Sequence, residues 1–217
     1  MRKWLLLAIC LVISITGYTD VKAAQPLTAS SVFAEIPLEV LDLLRPSTRL
    51  DMLDYYTQAD SIIIVEDALG GQSRLEQVAP DYLKVAVTPI STLEIKLLPA
   101  KKDQIIMTLY TVGNDSLAAD TEVKFFDSSL KPLQAEKYLK APALKEFYNL
   151  KNSTLKESDL AEKIHFEAIA YSTGPGDTPL TATLTTPATL SKEDRELLAP
   201  LSIPSLSAQW KGKFQFK

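Results

Sequence analysis

Four short segments in which apolar and polar residues alternate constrain the fold of this chain more than any other feature. They occupy residues 83–88, 93–97, 104–112 and 122–125. In the second segment Leu93, Ile95 and Leu97 alternate with Glu94 and Lys96. Successive side chains of a strand point to opposite faces, so this alternation predicts strands with one buried face. The short connections between them predict an antiparallel meander, and hence an α+β fold in which this sheet packs against helices.

The residues before the meander have helical spacing. Leu38, Leu41 and Leu44 follow Pro37, which is favoured in a first helical turn, so we predict a helix over residues 37–44. A second helix is predicted from Thr48, with Leu50, Leu53 and Tyr56 on its inward face.

The remaining elements follow from turn residues and shorter patterns. A buried strand is predicted at residues 61–65, and the capping-box spacing from Ser73 to Glu76 predicts a short helix at residues 73–79. In the second half we predict a helix at 137–150, strands at 164–170 and 180–185, a helix at 191–198 and a strand at 209–216.

The chain has no Gly/Ser-rich linker that would separate two independent domains. We therefore predict one mature domain over residues 24–217, with a sub-boundary near residues 135–160. An alternative is an internal duplication, since residues 107–111 and 168–172 are both strand-like segments of similar pattern.

The first residues have the pattern of a signal peptide. Arg2 and Lys3 precede an apolar run over residues 4–15, and Ala23 suits the position before a signal-peptidase cut. We predict cleavage after Ala23 and export to the periplasm or beyond. The alternative of a membrane anchor is disfavoured because the run is shorter than the roughly 20 residues of a span, so no transmembrane segment is expected after cleavage.

Cys10 is the only cysteine of the chain. A lipoprotein signal would place a small residue before the acylated cysteine, and Ile9 is large, so anchoring through Cys10 is not expected. Once the signal is removed the mature chain has no thiol, and so no disulfide and no cysteine nucleophile.

The charge of the chain argues against nucleic acid as a partner. Loss of residues 1–23, with three basic and one acidic side chains, changes the formal net charge from −4 to −6. Binding to phosphates requires clustered Lys and Arg, which this balance does not suggest.

The residue types needed for metal or nucleophilic chemistry are scarce. A zinc site needs several Cys or His ligands, and His165 is the only histidine. Residues 114–120 resemble a calcium loop only weakly, because the closing glutamate is missing. No serine lies in a G-x-S-x-G motif, so a serine hydrolase is not indicated. We expect no cofactor and no metal.

One pair of carboxylates has the spacing that catalysis would need. Asp51 and Asp54 share a face of the second predicted helix, and glycoside hydrolysis uses two carboxyl groups about 5–10 Å apart. We favour the other interpretation, that Thr48 and Asp51 form a helix cap. Asp54 and the neighbouring Tyr55 are not needed for that cap, so they are the candidate ligand-binding residues.

Four strings of residues carry a resemblance to a known family: R-L-D-M-L-D-Y-Y, D-Y-L-K-V-A-V-T, S-T-L-E-I-K-L-L-P and I-I-M-T-L-Y-T-V. They resemble Bacteroidales exported proteins of domain-of-unknown-function family 3256, roughly over residues 33–133 and more weakly afterwards. The resemblance implies a cell-envelope location and a single mature domain. It implies no activity and no functional residue.

Three functions are consistent with these observations. The first is a non-enzymatic binding or accessory domain that contacts an envelope protein, glycan or lipid. The second is an amphiphile carrier, with an apolar cavity enclosed by the sheet and its helices. The third is a carbohydrate-acting hydrolase that uses Asp51 and Asp54.

Overall fold

A computed structural model describes residues 26–58, 63–114, 117–151 and 153–216. Its centre is a seven-stranded antiparallel sheet in which the strands follow the order of the chain. These strands are β1 (Val65–Glu66), β2 (Gln72–Ala79), β3 (Tyr82–Thr88), β4 (Ser91–Pro99), β5 (Gln104–Asn114), β6 (Leu117–Phe126) and β7 (Pro132–Leu133). The predicted meander and the α+β class are confirmed.

The predicted short helix at residues 73–79 is wrong, because these residues form strand β2. Ser73 and Leu75 point inward and their neighbours are exposed, which is the period-2 pattern of a strand. The predicted strand at 61–65 begins outside the described residues. Of its described residues, 63–65, Val65 alone lies in a strand, β1.

Two helices cover one face of the sheet, α1 (Ala29–Glu35) and α2 (Pro46–Gln58). Thr28 and Ser31 cap α1 reciprocally: each side-chain oxygen accepts a hydrogen bond from the other residue's backbone N–H. The predicted helix at 37–44 is wrong. These residues form two successive tight turns instead. Such turns also bring every third side chain to the same side, so Leu41 and Leu44 are still buried.

Both faces of the central strands are buried, whereas the alternation predicted only one. The first face packs against α1 and α2 through Leu83, Val85, Leu93 and Ile95. The second face packs against the C-terminal half of the chain through Met107, Leu109 and Phe125. Glu94 and Lys96 of the alternating pattern therefore lie inside the molecule, whereas Glu122 and Lys124 near the sheet edge remain accessible to solvent.

The C-terminal half consists of short elements. They are β8 (Leu139–Lys140), α3 (Glu157–Lys163), β9 (Ile169–Ser172), β10 (Leu180–Leu184), α4 (Lys192–Leu198), β11 (Leu206–Ala208) and β12 (Phe214–Gln215). The middle strand β10 pairs with β9 and β11, and β12 pairs in parallel with β8. Single turns of 3-10 helix connect several of them.

The predictions for this half are partly correct. Strand β10 and helix α4, which Ser191 caps, lie where the sequence placed them. The helix predicted at 137–150 is wrong, because Pro142 interrupts it and disfavours helical geometry in the residue before it. The strand predicted at 164–170 is shifted to β9, where Ile169 and Tyr171 are buried and Phe166 lies outside the strand, exposed. The strand predicted at 209–216 is wrong over most of its length, because residues 211–213 form a bend and β12 covers two residues.

Hydrogen bonds from Arg49 of α2 link α2 to the end of α1. Its guanidinium is 1% exposed and donates hydrogen bonds to the carbonyl oxygens of Phe33 (3.1 Å) and Ile36 (2.6 Å). These carbonyls belong to the C-terminal end of α1, where the helix has unpaired acceptors and the negative end of its dipole. Burial lowers the pKa of Arg49, yet an arginine stays charged, so the cation complements this helix end.

Replacement of this arginine tests its role. Arg49→Met keeps the length of the side chain but leaves two buried carbonyl oxygens without a donor, so we expect unfolding to become easier by about 2–3 kcal/mol. Arg45→Met, at an exposed neighbouring position, is the control and should change stability little. Equal stabilities of the two variants in urea unfolding would contradict the assigned role.

Candidate functional site

The predicted ligand-binding residues Asp54 and Tyr55 lie on the outer face of α2. Asp51 and Asp54 are exposed, and Tyr55 is 46% exposed. None of these three lines any of the cavities described below. The structure therefore brings Asp51 and Asp54 to one helix surface but not into a cleft.

The proposed helix cap at Thr48 is wrong. Helix α2 begins at Pro46, so Asp51 is in its second turn rather than at its start. The inward face is also displaced by one residue: Arg49 and Met52 are buried, whereas Leu50 is 53% exposed. This displacement follows from Arg49, whose contact with α1 sets the rotation of the helix about its axis.

A cluster of charged residues lies buried between the sheet and the C-terminal half. Lys96 of β4 is 4% exposed, and its ammonium group donates to Asp81 Oδ2 (2.6 Å) and to the carbonyl oxygens of Gly174 (2.9 Å) and Gly176 (2.6 Å). The backbone N–H of Gly176 in turn donates to Asp81 Oδ2 (3.0 Å). All three protons of the ammonium group are used, which leaves none for a ligand.

Glu94 lies in the same strand, 5% exposed, on the same face of the sheet. Its Oε2 accepts the backbone N–H of Thr173 (3.0 Å), and its carboxyl group shares a hydrogen bond with Tyr82. Burial raises the pKa of Glu94, and burial together with Glu94 raises that of Tyr82. A shifted pKa can mark a reaction centre, but Glu94 itself lines none of the described cavities. Its hydrogen bond with Thr173 joins the sheet to the C-terminal half.

The raised pKa of Glu94 predicts a pH effect on stability. The folded chain binds a proton at Glu94 more readily than the unfolded chain does. The free energy of unfolding therefore falls as pH rises from the unfolded-state pKa through the folded-state pKa. Glu94→Gln removes this titration, so the variant should gain stability relative to the wild type as pH rises through that window.

Urea unfolding of both proteins at several pH values measures this difference. Glu167→Gln, at an exposed position, is the control and should follow the wild type. A stability difference between Glu94→Gln and the wild type that does not change with pH would refute the prediction.

An apolar groove of about 400 Å³ runs along the edge of the large sheet beside β6 and β7. Its lining is formed by Pro37, Glu39, Val40, Val123, Lys124, Phe125, Phe126, Leu130, Pro132, Leu133 and Ala135. The groove lies where the two buried layers meet, because Val40 and Leu130 pack on the first face while Val123 and Leu133 pack on the second.

The backbone of β6 is open on the side of this groove. Strand β7 is only two residues long and pairs with Phe125 and Phe126 alone. Asp127 donates its backbone N–H toward the β7 side, and the N–H groups of a strand alternate in direction. The N–H and C=O of Val123 therefore also point to that side, beyond the end of β7. The groove thus combines apolar side chains with a part of the β6 edge that no described strand covers.

The sequence did not reveal this groove. The segment from Glu122 to Phe125 was correctly predicted as a strand, but no local pattern shows that its neighbour ends after two residues. Pro132 was the available signal, because a proline in a sheet is confined to edge strands and bulges.

Two further properties concern the described part of the chain alone. No group of three or more His, Cys, Asp or Glu residues there is arranged to hold a metal ion. Asp120, in the candidate calcium loop, instead accepts the N–H of Ile169 (3.1 Å), and residues 115–116 of that loop lie outside the described residues.

No helix of the described chain is long and apolar enough to cross a membrane. The predicted signal peptide, with Cys10, lies outside the described residues.

Comparisons with known proteins place the chain in a family. None of the curated proteins matches it. One solved structure, described as a domain of an uncharacterized protein from Porphyromonas gingivalis W83, has the same fold with a TM-score of 0.72. The two chains are 19% identical, and the match covers 86% of this chain and 98% of the other. A family model described as a protein of unknown function, DUF3256, matches residues 21–215, a longer stretch than the 33–133 inferred from the sequence. The protein belongs to the DUF3256 family.

Proposed function

We propose that this protein is an exported, non-enzymatic binding domain of the cell envelope that holds an extended segment of a partner polypeptide in the groove beside β6. The open edge of β6 next to apolar side chains is the observation that carries this proposal. An added strand would pair with the backbone groups of Val123, and its alternate side chains would enter the groove.

A polypeptide fits this site better than a lipid does. An acyl chain would fill the apolar lining but would leave the outward N–H and C=O of Val123 without partners. A strand satisfies both, because it carries donors and acceptors at the same spacing as the edge. The exposed ion pair of Lys124 with Glu122 (2.8 Å) borders the site and leaves its centre apolar.

The two alternative functions receive less support. An amphiphile carrier needs an enclosed apolar space, whereas both faces of the sheet are filled by packed side chains in the described chain. A hydrolase that uses Asp51 and Asp54 needs a substrate cleft, and these carboxylates lie on an exposed helix surface. Export itself follows from the predicted signal peptide at residues 1–23.

A labelled peptide of alternating Val and Thr, with fluorescence anisotropy as the readout, tests the proposal. Leu133→Asp places a charge in the groove and should weaken binding about tenfold or more. Val123→Pro should have a similar effect, because it removes an N–H that the β5–β6 ladder does not use. The same peptide with methylated backbone nitrogens should bind weakly to the wild type.

Leu50→Asp is the matched control, since Leu50 is an exposed leucine on α2, away from the groove. It should bind the peptide as the wild type does. Unfolding temperatures of all variants check that the fold persists. The proposal fails if the peptide does not bind, or if Leu133→Asp and Leu50→Asp bind it equally well.

A further inference from the structure

A second concave surface lies at the C-terminal end of the chain and is independent of the groove. It has a volume of about 600 Å³ and is lined by Ser207, Ala208, Gln209, Lys211, Gly212, Lys213 and Gln215. Its chemistry differs from that of the groove, because its polar side chains are amides, a hydroxyl and ammonium groups. No acidic residue is among the described residues that line it.

An exposed bend before the last strand creates this surface. Phe214 and Phe216 are buried in the core of the C-terminal half, and the half-buried Trp210 packs on Phe214 with ring centroids 5.0 Å apart. Residues 211–213 form an exposed bend before β12, and Gln215 of β12 is exposed as well. Gly212 has a φ of +84°, a conformation that favours glycine, and the turn there lies between Lys211 and Lys213.

Neighbouring strands extend the polar character of this surface. Gln215 of β12 pairs with Lys140 of β8, which is exposed and adds a third lysine. On the other side Ser207 pairs with Thr181, and Thr181 pairs with Ser172. Directly paired residues share a face of a sheet, so these three hydroxyl groups form a row that begins at the concave surface.

The three lysines form a positive region on a chain with an acidic excess. The whole sequence has 27 Asp and Glu against 23 Lys and Arg. Lys140, Lys211 and Lys213 are all exposed, and none of them forms an ion pair in the described chain. This region would attract an anionic partner. No carboxylate among the lining residues would repel that partner.

We propose that this C-terminal surface binds an acidic oligosaccharide. Amide and hydroxyl groups hydrogen-bond to sugar hydroxyls, and the lysines pair with the carboxylates of the sugar. The concave shape and the lack of an exposed large apolar residue disfavour a flat lipid bilayer. A single-stranded nucleic acid is disfavoured because Phe214 and Phe216 face inward and are not available to stack on bases.

Isothermal titration with oligogalacturonate, a polymer of uronic acid, tests this proposal. The double variant Lys211→Gln with Lys213→Gln should weaken binding about tenfold or more, and added salt should weaken binding to the wild type. A neutral malto-oligosaccharide of the same length should bind far more weakly than oligogalacturonate does.

The matched control is Lys151→Gln with Lys156→Gln, which removes the same charge at two exposed lysines elsewhere. Unchanged binding by this control supports a local site, whereas equal loss in both double variants would show an effect of net charge only and overturn the proposal. It is also overturned if oligogalacturonate does not bind. Tighter binding of duplex DNA or phosphatidylglycerol vesicles through the same lysines would also overturn it, in favour of another class of partner. Leu133→Asp should leave oligogalacturonate binding intact, which separates this test from that of the groove.

Discussion

The contact between Lys96 and the turn at Gly174–Gly176 decides how the two halves of this protein fit together. A buried ammonium group is costly unless all its protons find acceptors. Strand β4 itself cannot supply them, because its backbone groups pair with β3 and β5. Asp81 and two carbonyl oxygens from the distant turn complete the set. The buried carboxyl group of Glu94 likewise accepts a hydrogen bond from the C-terminal half, from the backbone N–H of Thr173. These contacts require the C-terminal half to sit on the second face of the sheet.

The remaining architecture follows from that placement. Once the C-terminal half covers the second face and α1 and α2 cover the first, the sheet has two apolar layers that meet at its edge. Strand β7 covers the edge of β6 over two residues, after which the chain turns away from the sheet. The gap that remains between the two apolar layers at this edge is the groove beside Val123. The same half ends in an exposed bend that carries Lys211 and Lys213, followed by the buried Phe214 of β12. Both proposed binding surfaces are thus consequences of how the sheet is covered.

Those secondary-structure elements that depend on neighbouring residues alone were predicted correctly from the sequence. Alternation over a few residues identified β3 to β6, and a short acidic segment identified α4. The errors occurred where a local pattern has two structural solutions: the spacing of Ser73 and Glu76 fits a helix cap, but it also fits the strand that formed. The rotation of α2 could not be predicted, because the burial of Arg49 depends on carbonyl oxygens of another helix. The groove was missed for the same reason, since it combines residues 37–40 with residues 123–135. The C-terminal surface was missed although residues 207–215 alone line it, because its concave shape depends on how this segment turns before β12.

We propose from these contacts that the chain folds as one cooperative domain, in which neither half is stable alone. The most direct test is calorimetric unfolding of a fragment that comprises residues 24–133. This fragment keeps β1 to β7 with both helices but exposes the second face, including Lys96, Glu94 and the apolar residues Met107, Leu109 and Phe125. We expect no cooperative heat-absorption peak from it, in contrast to a single peak from the whole chain. A cooperative peak from the fragment near the unfolding temperature of the whole chain would contradict this account.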